Sequence, residues 1–180
     1  MKLWLVRHAR PLLAPGLCYG VTDVDADADA TAFAASVLAA QLPPHVAVAC
    51  SPLRRCLQLA EALQALRPGL EFRVESRLAE MDFGLFEGER WDAIARAEYA
   101  RWEADFAGYR FGGRESVGEF MARVGAALAD ARGGGDVLWI THAGVARAVR
   151  LLATGVTAPL QAADWPREGL AFGELQCFPM

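Results

Sequence analysis

Three short apolar runs in this 180-residue sequence each end abruptly on polar residues. Lys2 to Val6 leads into Arg7-His8. Val46 to Cys50 leads into Ser51-Pro52-Leu53-Arg54-Arg55, and Val137 to Thr141 into His142-Ala143-Gly144. Two of the chain's three histidines stand at such ends. A neutral imidazole is a nucleophile for phosphorus, and a guanidinium stays charged while binding two oxygens of one anion. Arg7, His8, Arg55 and His142 brought to one spot would suit a phosphate dianion and phosphoryl transfer, which asks for positioning and charge stabilisation. Each piece alone is weak. Arg-His is a common dipeptide, Arg55 is also the kind of residue that snorkels from a helix, and a strand-end histidine often bonds only the backbone. The weight lies in their recurrence at three strand ends.

The elements that must position these residues follow from hydrophobic pattern. The three apolar runs read as buried strands. Ser51 reads as a helix cap with Pro52 in the first turn. Cys56, Leu59, Ala60, Leu63 and Leu66 follow helical spacing up to Pro68-Gly69. Residues 70–75 alternate in polarity and suggest a strand. Trp91, Ile94, Ala95 and Trp102 mark a helical face, which assigns both tryptophans to core. Ser116-Val117-Gly118-Glu119 has the form of a capping box, and Phe120, Val124 and Leu128 continue that helix. A further helix runs through Val145, Val149 and Leu152, and residues 170–178 suggest an edge strand. Strands alternating with helices predict an α/β fold: a three-layer α/β/α sandwich around a mostly parallel sheet. In such sheets ligands bind beyond the carboxyl ends of the strands, where helix N-termini point. The expectation is one domain over 1–180, with a small Gly-rich and aromatic lid segment around 80–115. The Gly-rich stretch 105–118 is the one expected to close over the site.

Composition narrows the function. A sequence that is 54% apolar supports one full core. The net charge of −4 does not fit a nucleic-acid partner, so phosphate recognition must come from a few local cations. Cys18, Cys50, Cys56 and Cys177 show no zinc spacing and suggest a reduced, cytoplasmic protein. Asp23, Asp25, Asp27 and Asp29 resemble a calcium loop, but Ala28 and Ala34 stand where its glycine and bidentate glutamate belong. That stretch reads as a solvated turn before a helix over Phe33–Val37. No metal and no cofactor are expected. The opening apolar run is too short for a signal peptide core, and no stretch suits a membrane span. Arg10, just past His8, reads as a surface residue or a substrate contact.

Taken together, Leu5-Val6-Arg7-His8, Ser51-Pro52-Leu53-Arg54-Arg55-Cys56, Leu78-Ala79-Glu80-Met81-Asp82-Phe83-Gly84, Glu87-Gly88 and Thr141-His142-Ala143-Gly144 resemble the histidine phosphatase superfamily, also called phosphoglycerate mutase-like. The blocks stand in the family's order and span nearly the whole chain. The resemblance implies the phosphoglycerate mutase-like fold and a metal-independent phosphomonoesterase acting on a small-molecule phosphate ester. It implies His8 as nucleophile, Arg7 and Arg55 as phosphoryl clamps, and His142 as a further donor. It also implies Glu80 as the acid for the leaving oxygen and the Ala143 N–H as a phosphate contact. Asp82 and Glu87 are rivals for the role of Glu80. The opening Lys-Leu-Trp-Leu-Val-Arg-His, the Cys18-Tyr19-Gly20 segment and the short length look most like the alpha-ribazole phosphatase branch, which implies alpha-ribazole 5′-phosphate as substrate and a place in cobalamin assembly. The alternatives are a sugar-phosphate or broad metabolite phosphatase, a phosphoglycerate mutase, a phosphohistidine protein phosphatase, and a non-catalytic phospholigand-binding module. The chain departs from the family opening at Ala9, Arg10, Pro11 and Ala14, and has Leu59 where a threonine is usual. A monomer or homodimer is expected.

Overall fold

The computed structural model describes residues 2–157 and 161–179. Five strands form one sheet: β1 (Lys2–Arg7), β2 (Ala47–Cys50), β3 (Phe72–Val74), β4 (Val137–Thr141) and β5 (Leu175–Pro179), in the spatial order β3-β2-β4-β1-β5. The first four are parallel and β5 runs antiparallel along β1. The helices are α1 (Ala28–Gln41), α2 (Arg54–Leu66), α3 (Arg96–Ala104), α4 (Val117–Ala131) and α5 (Ala143–Ala153).

Strand side chains alternate between two cores, which makes three layers. Leu3, Leu5, Val137 and Trp139 face α4 and α5, while Val6, Val48, Leu138 and Ile140 face α1 and α2. All of β4 is buried, as expected for a central strand covered on both faces. The fold is thus α/β with a mostly parallel sheet. The order of the connections reverses at the centre of this sheet. The helix after β1 lies on one face and the helix after its neighbour β4 on the other. That reversal opens a crevice at the carboxyl ends of β1 and β4.

Several elements differ from the pattern reading. Ser51 does not cap α2; its N-cap is Leu53, with no side-chain bond. The first amide of the helix is instead capped from afar, Arg54 N–H donating to Asp23 Oδ1 at 2.7 Å. The supposed face through Trp91 and Trp102 is broken, because Trp91–Ala93 is a 3₁₀ turn and Ala95 is extended before α3 begins. The strand expected over 70–75 shrinks to the three residues of β3, and the last strand starts at Leu175, not at 170. The helix expected over Phe33–Val37 is the middle of α1, which starts at Ala28 on an Asp27 cap. The capping box at Ser116 and Glu119 is formed as read. Among the described residues no helix is long and apolar enough to cross a membrane.

Candidate active site

Register brings the two histidines together. Arg7 pairs with Thr141 across β1 and β4, so His8 and His142 are the first residues past the paired ends. The His8 N–H donates to Thr141 O at 3.0 Å, and the two ring centroids lie 5.1 Å apart. His8 is 1% exposed. Its Nδ1 lies 2.7 Å from Ala9 O, a carbonyl that takes only a donor, so Nδ1 carries the proton. Its Nε2 carries no proton, and its one in-plane lone pair accepts from Arg55 Nε–H at 3.2 Å. Burial first, and then the Arg55 guanidinium, hold the His8 pKa down to about 3, so the ring is neutral.

Arg55 is fully buried in the first turn of α2. A guanidinium has five N–H groups. Here one goes to His8, one to Thr22 O at 2.8 Å and one to Gly20 O at 2.6 Å, which leaves two for a ligand. Glu87 holds the loop that presents those carbonyls. Its carboxylate accepts from the amides of Gly20, Val21, Thr22 and Phe83 and from the Thr22 hydroxyl. Glu87 is therefore occupied as a loop anchor. Asp82, the other rival acid, accepts from Gly84 N–H.

His142 is the N-cap of α5 and 1% exposed. Its Nε2 is 2.7 Å from Ser51 Oγ. Ser51 Oγ also accepts from Leu53 N–H at 3.4 Å; with its own hydroxyl donating to Nε2, the His142 proton sits on Nδ1. Nδ1 is buried with no partner among the described residues. Burial pushes the His142 pKa well below its ordinary value. Arg7 Nε is likewise buried without a partner. The Arg7 guanidinium is fixed on its other side, with NH1 donating to Leu170 O at 2.9 Å and the group lying 3.7 Å above the Phe172 ring. Ala143, first residue of α5, has an N–H beyond the reach of intrahelical bonding. Orphaned donors at His142, Arg7 and a helix N-terminus make an anion site.

Across the cavity, Glu80 is half-buried. Its Oε2 accepts from Gly144 N–H at 3.0 Å and its Oε1 from Met81 N–H at 3.2 Å. Arg7, His8, Arg55, Glu80 and Ala143 all line a cavity of about 360 Å³. His142 lies behind it, against His8. Of the residues named from the sequence, the fold brings all six to one site. Arg10 is not among them: it is exposed and ion-paired to Asp27 at 2.9 Å. The acidic stretch is also spent locally, Asp25 accepting from Arg54 and Gln58.

The rest of the cavity is aromatic. Tyr19, Phe83, Trp91, Trp102, Phe106, Phe120 and Trp165 form its walls. Trp91 and Trp102 are thus more than core: Phe111, fully buried, stacks between them and anchors them as a wall. The segment expected to be a lid supplies this wall. Sequence reasoning missed Arg147, Trp165 and Phe172. Arg147 sits one helical turn beyond Ala143, so helical spacing could have found it. Among the described residues its Nε is buried without a partner, its NH2 reaches Arg167 O only at 3.4 Å, and burial lowers its pKa. Phe172 lies on the irregular stretch before β5 and carries no sequence signal.

Comparison with known proteins agrees with this geometry. The sequence profile of the histidine phosphatase superfamily (branch 1) matches residues 3–166. A putative phosphoserine phosphatase 2 of Hydrogenobacter thermophilus is 29% identical over 164 residues, spanning 86% of this chain and 79% of the relative. A mycobacterial glucosyl-3-phosphoglycerate phosphatase has a similar structure, with a TM-score of 0.80 at 25% identity over 98% of this chain and 88% of that one. TTHB049 of Thermus thermophilus superposes with a TM-score of 0.74 at 30% identity, covering 98% and 92%. Two histidines and two arginines gathered at the carboxyl edge of the sheet, with a profile match from Leu3 to Pro166 and phosphatases among its relatives, make this chain a phosphatase of the histidine phosphatase superfamily, branch 1.

Proposed function

We propose that the chain hydrolyses small-molecule phosphate monoesters without a metal, through a phosphohistidine on His8. The observation that carries this is the state of His8: a buried neutral ring with its proton fixed on Nδ1 and its Nε2 lone pair facing Arg55. The two uncommitted N–H groups of Arg55, with His142 Nδ1, Arg7 and the Ala143 N–H, hold the phosphoryl oxygens. As Arg55 turns to those oxygens it frees the lone pair of Nε2, which attacks phosphorus. The bond to the leaving oxygen breaks and protonated Glu80 supplies that oxygen with a proton. Water then attacks the phosphorus, Glu80 takes the water's proton, the N–P bond breaks and neutral His8 returns. Acid–base assistance of this kind is worth roughly 10²–10⁴-fold.

For the substrate, the reading is alpha-ribazole 5′-phosphate. The seven aromatic walls support it, because a planar base gains from stacking and from burial of apolar area. A second reading is a metabolite phosphatase for esters that carry a carboxylate. Arg147 favours it, as a half-buried cation in the wall with one long hydrogen bond. The names of the phosphoserine and glucosyl-3-phosphoglycerate phosphatases point the same way. The test is a rate panel in the presence of a chelator with alpha-ribazole 5′-phosphate, phosphoserine and an aliphatic sugar phosphate, combined with acid and base quenching. Phosphate bound to protein should survive base and not acid, and His8→Ala should abolish it. Turnover lost to the chelator, or an acid-stable adduct, would overturn the mechanism. A preference for phosphoserine would select the second substrate reading.

A further inference from the structure

Glu80 stands on a stretch, residues 79–83, that is neither helix nor strand. No regular ladder holds its backbone, yet an acid must be held to within a fraction of an ångström to meet a leaving oxygen. Ser76 O takes the Ala79 amide and Glu87 the Phe83 amide, and the Ala79 and Glu80 carbonyls are gripped by one side chain. Arg123, on α4, donates from NH1 to Arg77 O at 2.8 Å and Ala79 O at 2.7 Å, and from NH2 to Glu80 O at 2.9 Å. Its Nε and NH2 also grip Glu115, at 2.6 and 3.0 Å. With these bonds all five of its N–H groups are used. Glu115 Oε2 in turn accepts from Asp82 N–H at 3.0 Å. The pair thus grips the carbonyl of Glu80 on one side and the amide two residues on. Both partners are largely shielded, at 23% and 15% side-chain exposure, so water competes little for them. The guanidinium also lies 4.7 Å over the ring of Phe120, which lines the cavity.

We infer that Arg123, with Glu115, is a positioning residue for the Glu80 carboxyl and so sets how well the enzyme expels leaving groups that need a proton. This rests on the reading of Glu80 as the acid. No contact to phosphate is involved. The clamp acts on one half of the reaction, departure of the alcohol, and leaves the attack by His8 to the strand ends.

The experiment compares kcat/KM for benzyl phosphate, whose alkoxide needs a proton to depart, with that for 4-nitrophenyl phosphate, whose phenolate does not. This parameter ends at cleavage of the ester, so hydrolysis of the phosphohistidine drops out. The full chain is assayed as wild type, R123Q, R123K, E115Q and E80Q. The ratio of benzyl to nitrophenyl kcat/KM should fall about 10–100-fold in R123Q and E115Q, within the range of a misplaced general acid. R123K should fall between, since an ammonium keeps the charge but not the fork. If R123Q does not fold, R123K and E115Q decide. A wild-type ratio in the Arg123 and Glu115 variants, with a lowered ratio in E80Q, overturns the inference. An unchanged ratio in E80Q itself removes Glu80 as the acid, and the inference falls with it.

Discussion

The Ser51 hydroxyl is placed to set which nitrogen of His142 holds the proton. It lies 2.7 Å from the Nε2 of His142, 91 positions away, because β2 pairs with β4. Replacing Ser51 by Ala leaves a buried nitrogen unpaired, with Cys56 Sγ at 3.5 Å as its nearest substitute. Stability should drop by about 1–3 kcal/mol in urea unfolding, and kcat/KM should fall roughly tenfold for every phosphate ester tested. Ser51→Thr, which keeps the hydroxyl, should restore much of both. An Ala variant with wild-type kcat/KM would mean that the Ser51 hydroxyl does not set the tautomer. This role was not legible in the sequence. Ser before Pro at the end of a strand has the same local signature whether the hydroxyl caps a helix or reaches a distant ring. His8, Arg7, Arg55 and His142 were legible because each sits at the end of an apolar run. Arg147 and Phe172 were not, because no such boundary marks them.

Among the elements, the aromatic wall depends on two interlocked glycines. Gly84 and Gly112 both have positive φ, at 52° and 79°, and Leu85 N–H donates to Gly112 O. A methyl group on Gly112 would meet Phe83 O at 1.8 Å. The two turns therefore approach backbone to backbone, and Phe83 and Phe111 are held against each other with ring centroids 6.4 Å apart. Gly112→Ala combines the strained backbone with a clash against a carbonyl and should cost about 2–4 kcal/mol. Its effect on catalysis should show as a raised KM for aromatic esters rather than as loss of the phosphohistidine, measured by initial rates and acid-quench trapping. A variant that keeps KM and loses phosphorylation would show that the wall serves the nucleophile instead. This region was the least legible in the chain. Its aromatics fall at helical spacing, but Ala95 and the 3₁₀ turn interrupt the helix, because the side chains are placed for the cavity and not for one helical face. Strands β1, β2 and β4 were legible, because their apolar runs are the ones covered on both faces, while the ends of β3 and β5, edge strands with exposed residues, were not.

At the scale of the whole molecule, the neutral histidines couple folding to pH. His8 stays unprotonated to about pH 3 when folded and takes a proton near 6.5 when unfolded. Between those values the unfolded chain binds the extra proton, so stability falls as pH drops through this window, by up to ~1.4 kcal/mol per pH unit for this one group. His142 pushes in the same direction. Urea midpoints should decline steadily from pH 6.5 to 4, and His8→Gln should flatten that decline. An equal slope in the variant would place the dependence elsewhere. The order of the strands carries another consequence. β1 is flanked by β4 and β5, whose residues come more than 130 positions later. Arg7 likewise takes its fixing carbonyl from Leu170, 163 positions on. A chain emerging from the ribosome therefore holds His8 at the end of a strand that has no neighbours until β4 is made. Phosphate handling cannot precede completion of the sheet, and any chain stopped short of β4 is both unpaired at its centre and inert.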